Sequence, residues 1–220
     1  PLIERIGGLP FIVHLWGGTG TGKTVALCVA ASVWGKGAYN NNALIQSFRG
    51  TEYALSEKAA FLYSLPVIID EGQTVKNKDD FDTLIMNLTE GKGKIQGSAS
   101  GGIKKLRHWA NCFITTAEEN IIKYNSGGGT SNRIINIAAQ SKIINDGHIT
   151  MQIIRDNYGF AGKKYIEYIK KLPLEQLKNR YDDLFAKLKD NTDSTDKQLM
   201  AMTFLLLSDE LFLSLFELFP

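Results

Sequence analysis

Apolar runs of strand length recur along the chain at 11–16, 43–48, 65–70, 111–116 and 133–138. Between them lie stretches at 24–34, 51–63 and 79–89 whose apolar residues fall three and four positions apart. In the last of these, Phe81, Leu84, Ile85 and Leu88 form one helical stripe. The strand runs are largely continuous rather than alternating with polar residues, which is how strands covered on both faces read. Strands alternating with helices imply a parallel sheet, so the pattern predicts an α/β core around a central parallel five-stranded sheet. Polar or glycine-rich segments at 35–42 and 127–130 read as turns. From about residue 149 the spacing is helical only, over 160–171, 174–189 and 196–218. Pro173 opens a new element there, and the polar run 190–196 links two others. Two parts are therefore expected: an α/β core over 1–148 and a C-terminal helical region over 149–220.

The turn after the first strand carries the chemistry. Gly17-Gly18-Thr19-Gly20-Thr21-Gly22-Lys23-Thr24 fits G-x-x-x-x-G-K-[ST], the phosphate-cradling P-loop. Its glycines let backbone N–H groups turn toward an anion, and the helix that follows presents its N-terminus to the same point. Lys23 is expected on the β- and γ-phosphates of ATP and the Thr24 hydroxyl on Mg²⁺. A second signal lies downstream, where the apolar run Val67-Ile68-Ile69 ends in Asp70 and Glu71. Asp70 would hold Mg²⁺ with Thr24, and Glu71 would act as general base toward the attacking water. Thr115 and Thr116 end the next strand, at the edge where ligands of parallel sheets bind. Arg133 follows a glycine-rich turn and is placed to reach the γ-phosphate of a neighbouring subunit.

Composition adds little to this, with one local exception. The 220 residues are 44% hydrophobic and carry a net charge of +2, so bulk charge points to no partner. Between Glu90 and Glu118, however, there is no acidic residue. That stretch holds Lys92, Lys94, Lys104, Lys105, Arg107 and His108 around a Gly/Ser tip, and its arms 94–96 and 103–106 read as a hairpin. Lys94, Lys104, Lys105 and Arg107 are the candidate DNA contacts, since a one-signed protrusion suits a phosphate backbone. Trp109 is expected to anchor the hairpin's base. Cys28 and Cys112 fall in apolar elements, which fits small core residues, free thiols and a cytoplasmic setting. His14, His108 and His148 have no metal-ligand spacing. The apolar tail is interrupted by Asp209, Glu210 and Glu217, and no membrane span is expected. Because the chain opens on Pro1 without Met and stops abruptly, it is expected to be a piece of a longer protein.

With these motifs in order, the chain resembles the AAA+ branch of P-loop ATPases. Within that branch it is similar to the domain-of-unknown-function family nine-two-seven, a helicase-like domain of phage and mobile-element proteins that often adjoins a primase module. The likeness is carried by His14 to Thr24, Ala30 to Gly35, Leu65 to Glu71, Gly91 to Lys94, Trp109, the Thr115-Thr116-Ala117-Glu118 run and Asn157 to Gly162. The resemblance implies an AAA+ P-loop NTPase fold with a pre-sensor β-hairpin pointing into a ring's pore and a C-terminal helical lid. It implies a homo-oligomeric ring, a hexamer, in which Lys23, Thr24, Asp70 and Glu71 serve ATP in cis. Thr116 would be the sensor-one residue and Arg133 the arginine finger. Members often show Ser-Thr-Gly-Glu where this chain has Thr115-Thr116-Ala117-Glu118, so the choice between the two threonines stays open here. Arg155 and Arg180 are both candidates for a sensor-two arginine.

The expected function is an ATP-hydrolysing DNA helicase or translocase acting on single-stranded DNA. The alternatives are a protein-remodelling, loader or defence ATPase, and a nucleotide-gated interaction module with little turnover.

Overall fold

The computed structural model describes residues 1–37, 44–47, 51–70, 78–94, 106–122 and 128–217. Five strands, β1 (Phe11–Trp16), β2 (Ile45–Ser47), β3 (Val67–Asp70), β4 (Cys112–Ala117) and β5 (Ile134–Ala138), form one sheet in the order β2-β3-β4-β1-β5. Every pairing is parallel. The expected α/β architecture with a central parallel five-stranded sheet is therefore present. β4 inserts between β1 and β3, which brings the ends of all three to one edge. β3 is shorter than its apolar run, because Pro66 has no N–H to give to a neighbouring strand.

The continuous apolar runs follow from layers on both faces. On one face, Ile12, Val67, Ile69, Phe113 and Ile134 pack with Leu55 and Ala59 of α3 (Glu52–Leu62) and with Ile85 and Leu88 of α4 (Lys78–Thr89). On the other, Ile45, Ile68 and Ile114 meet Leu27, Cys28 and Ala31 of α2 (Lys23–Trp34) and Ile154 of α6 (Gly147–Asp156). Side chains alternate along a strand, so Ile68 faces α2 while Val67 and Ile69 face α3 and α4.

Helices α7 (Phe160–Lys171), α8 (Leu174–Asn191) and α9 (Asp196–Glu217) complete the chain. Tyr165, Leu177, Tyr181, Phe204 and Leu207 from these helices share a cluster with Leu2 and Ile3 of α1 (Leu2–Ile6) and with Phe11 of β1. By length and mean hydropathy (1.7) α9 is apolar enough to cross a membrane. Here six of its residues, Phe204 and Leu207 among them, are buried in the protein, and its Glu210 pairs with Arg180 of α8 at 2.6 Å.

Three helices differ from the sequence reading. α1 and α6 were not expected, and 128–131, read as part of a turn, forms the short α5 (Gly128–Ser131). α6 begins where Asp146 accepts a hydrogen bond from the Ile149 amide at 2.9 Å, an ordinary N-cap. Its Ile149, Ile153 and Ile154 fall at helical spacing, and Ile154 alone of its residues is buried.

Candidate functional site

The P-loop spans the gap from β1 to α2. Gly17 has a positive φ of 152°, and the Ala139 carbonyl oxygen lies 2.6 Å from where a Cβ would sit, so only glycine passes the end of β5 there. Gly22 caps α2 in the left-handed region, at φ 92°, and turns the loop onto the helix axis. Lys23 Nζ donates to the carbonyl oxygens of Gly17 at 2.6 Å and Gly18 at 2.8 Å. The Thr21 hydroxyl donates to Gly18 O at 3.0 Å. The loop thus closes on itself with its cation at the centre.

Beside it, the end of β3 presents the buried Asp70. Thr24 Oγ1 donates to Asp70 Oδ2 at 3.0 Å, and Thr116 Oγ1 donates to Asp70 Oδ1. One carboxylate is therefore gripped from α2 and from β4.

The two threonines separate by strand alternation. Thr116 faces Asp70, whereas Thr115 lies on the opposite face and shares a hydrogen bond of 2.8 Å with His14 Nδ1. Thr115 is thus a core partner of His14, and Thr116 is the hydroxyl in the site.

His14 is fully buried. Burial lowers its pKa from 6.5 to about 4, with the backbone of Glu119 acting in the opposite sense. Between those values the unfolded chain holds a proton that the folded chain lacks, so stability falls as pH drops from 6.5 toward 4 and levels off below. The loss from this group is about 2–3 kcal/mol by pH 4.5. In urea unfolding at pH 7 and pH 4.5, His14→Gln is expected to lose less stability on acidification than the unchanged chain by that amount. Equal losses in both proteins would rule out His14 as the source.

A cavity of about 420 Å³ opens over these groups, lined by Thr19, Lys23, Thr24, Asp70, Thr116, Glu118 and Lys142 among others. Two of those side chains were not singled out for roles at the site. Lys142 arrives on the segment after β5, which is tied to the P-loop by the Ile143 amide donating to Thr21 O at 2.9 Å. Glu118 stands just past β4 and accepts from the Thr19 hydroxyl at 2.6 Å. Glu118 closes the Thr115-Thr116-Ala117-Glu118 run that carries the family likeness, whereas no local signal marks Lys142; the placing of β5 and β4 beside β1 brings both in.

The remaining candidates lie elsewhere. Arg155 pairs with its neighbour Asp156 at 3.3 Å, and Arg180 pairs with Glu210; neither lines the cavity. Arg133 precedes β5, with its carbonyl accepting from the Ile12 amide at 3.0 Å and its guanidinium donating to Gly129 O at 2.6 Å. It sits a strand's length from the chain's own P-loop. Of the basic segment, Lys94 pairs with Glu52 at 3.0 Å, and Arg107 pairs with Glu57 and stacks over Tyr53 at 5.5 Å, so α3 holds both. Lys92 and His108 form an antiparallel bridge, and Trp109, buried at the base, donates Nε1–H to Leu88 O at 2.8 Å. Glu71, Lys104 and Lys105 lie outside the described residues, as does the hairpin's tip. Among the described residues no group of acids, histidines and cysteines forms a metal cage, and both cysteines are free.

The five-stranded parallel sheet, with the P-loop after β1 and Asp70 at the end of β3, fits the α/β fold the sequence predicts. Residues 1–108 match the family model of DUF927, a domain of unknown function. The DUF927 match holds the P-loop, Asp70 and the first arm of the basic segment. Thr116, Glu118, Arg133 and Lys142 lie beyond it. A solved structure described as SCCmec type IV Cch, active helicase, shares the fold with a TM-score of 0.71 at 22% identity. The likeness covers 96% of this chain, and the chain spans 40% of that protein's length. No curated protein sequence matches the chain.

Proposed function

We propose that the chain is the ATP-hydrolysing core of an AAA+ motor, a DNA helicase or translocase serving replication of a phage or mobile element. The observation that carries this is the convergence of Lys23, Thr24, Asp70 and Thr116 on one cavity at the carboxyl ends of parallel strands. Residues 1–148 then form the nucleotide-binding core and 149–220 its helical lid. The likeness to a structure described as an active helicase supports the direction of the reading, and DNA as partner follows from it by analogy.

ATP and Mg²⁺ fit the residues present. Thr24 and Asp70 bring a hydroxyl and a carboxylate oxygen within 3.0 Å of each other, a hard-oxygen pair suited to that cation. When bound, Mg²⁺ would be held by Thr24 and Asp70 and would offset phosphate charge. The chain's own groups do the rest. Lys23 exchanges the Gly17 and Gly18 carbonyls for phosphate oxygens, and the backbone amides of Gly17 to Thr24 close around the anion. Thr116 holds Asp70 in orientation. Glu71, next after Asp70, takes a proton from the attacking water. Arg133, remote from its own pocket, serves the γ-phosphate of the next copy in a homo-oligomeric ring, a hexamer. A flanking primase module and a cytoplasmic setting complete the proposal.

Single-stranded DNA is assigned to the basic hairpin: Lys104 and Lys105 first, then Lys94 and Arg107 once their pairs with Glu52 and Glu57 exchange for phosphate. Those pairs are the one observation favouring a second reading, a protein-remodelling or loader ATPase whose hairpin grips polypeptide.

The test is the ATPase rate with and without single-stranded DNA, for the unchanged chain and for Glu71→Gln. Several-fold stimulation by DNA, and a loss of turnover of about 100-fold or more in the variant, are expected. DNA binding should also weaken steeply between low and physiological salt. Robust turnover indifferent to DNA, with no DNA bound at low salt, transfers the assignment to protein remodelling. Nucleotide binding without turnover leaves a nucleotide-gated module.

A further inference from the structure

Glu118 occupies an unexpected place for an acid. It lines the same cavity as Lys23 and Lys142 and stands two residues past Thr116. Its Oε1 accepts a 2.6 Å hydrogen bond from the hydroxyl of Thr19, in the middle of the P-loop. The turn that carries it is itself fastened to the sheet. Asn120 Oδ1 accepts from the Ile122 amide at 2.8 Å and from Asn136 Nδ2 on β5 at 2.7 Å. The carboxylate is therefore presented by a braced turn.

A fixed negative charge beside a phosphate loop opposes the anion the loop is shaped to take. Its hydrogen bond to Thr19 also favours the loop conformation seen here, in which Lys23 is folded onto the Gly17 and Gly18 carbonyls. Both effects point the same way, against entry of a phosphate.

We propose that Glu118 is a positioning residue that latches the P-loop through Thr19 and yields when a nucleoside triphosphate enters. Filling of the pocket is thereby passed to the end of β4 and the braced turn at 118–122. The inference rests on the reading of this cavity as the ATP site, and deepens it by naming a residue that sets its affinity.

Two substitutions separate the two effects. Glu118→Gln keeps an acceptor for Thr19 and removes the charge; Thr19→Val keeps the charge and removes the bond. A fluorescent ADP analogue titrated with Mg²⁺ into the 220-residue chain gives the affinity of each. Glu118→Gln is expected to bind about five-fold tighter at low salt, with the gain shrinking at about 0.5 M salt as screening sets in. Thr19→Val should bind about two- to five-fold tighter, and the double variant tighter than either single one, because one change removes the charge and the other the bond. Unchanged or weaker binding by Glu118→Gln, or by Thr19→Val, would overturn the latch. Lys23→Ala serves as the control for the site. If the unchanged chain takes up no nucleotide, or takes it up as well without Lys23, the ATP-site reading fails and the latch fails with it. If only the Glu118 and Thr19 variants behave unexpectedly, the latch alone is wrong.

Discussion

Lys23→Ala is expected to weaken nucleotide binding by about 100-fold or more and to remove ATP turnover with it. A lysine in this position makes two charge-assisted contacts with phosphate oxygens, each worth about 1.5–3 kcal/mol, and 1.4 kcal/mol is a factor of ten. The geometry of the loop shows why no neighbour substitutes. Lys23 Nζ is at the centre of the loop, 2.6 Å and 2.8 Å from two loop carbonyls, whereas Lys142 stands outside the loop on the segment after β5. Arginine is a poor replacement, because its planar fork cannot sit where a point charge donates inward from the first residue of α2. Titration with a fluorescent ATP analogue measures the loss, and thermal unfolding confirms that the fold is kept. Affinity within tenfold of the unchanged chain would move the principal phosphate contact to the Lys142 side.

Phe204→Ala is expected to cost about 3–5 kcal/mol, a large share of the 5–15 kcal/mol typical of a domain. The ring is 96% shielded and joins distant parts of the chain. It lies 4.7 Å from the Tyr181 ring of α8 and 6.4 Å from Phe11 at the start of β1. It also fills the space beside Gly8, where a Cβ would sit 2.6 Å from a ring carbon. Removing it therefore opens a cavity between α9, α8 and the sheet together. Urea unfolding should show the loss as a lower midpoint with an unchanged slope. Phe216→Ala, on the same helix but 52% exposed, should cost under about 1 kcal/mol. Equal, small losses in both would mean that α9 contributes little to the core.

The elements that build the sheet were readable because their signals are local. The run Val67-Ile68-Ile69-Asp70 needs only its own composition to read as a buried strand with an acid at its edge, and the P-loop carries its own spacing. What was not readable depends on which strands become neighbours. Lys142 and Glu118 enter the cavity because β5 and β4 flank β1, and nothing within their own segments records that order. The choice between Thr115 and Thr116 had the same origin. Both are small β-branched residues at a strand end, and only the pairing of β4 with β3, Ile69↔Thr115, sets Thr116 beside Asp70. α6 differs: Ile149, Ile153 and Ile154 do fall at helical spacing, but over a helix of only 10 residues, and Ile149 and Ile153 stay more than half exposed. α5 is a single turn of Gly128-Gly129-Thr130-Ser131, held by the buried Thr130, and glycine-rich sequence reads as loop by propensity.

The alternation at the end of β4 also bears on how this strand can change length. One residue lost within 112–115 would turn Thr116 to the His14 side and bring Ala117 abreast of Asp70. One residue gained would instead bring Thr115 there and leave a hydroxyl over the carboxylate. A single-residue gain in this strand should therefore be tolerated at Asp70 where a single-residue loss is not, an asymmetry set by two adjacent threonines.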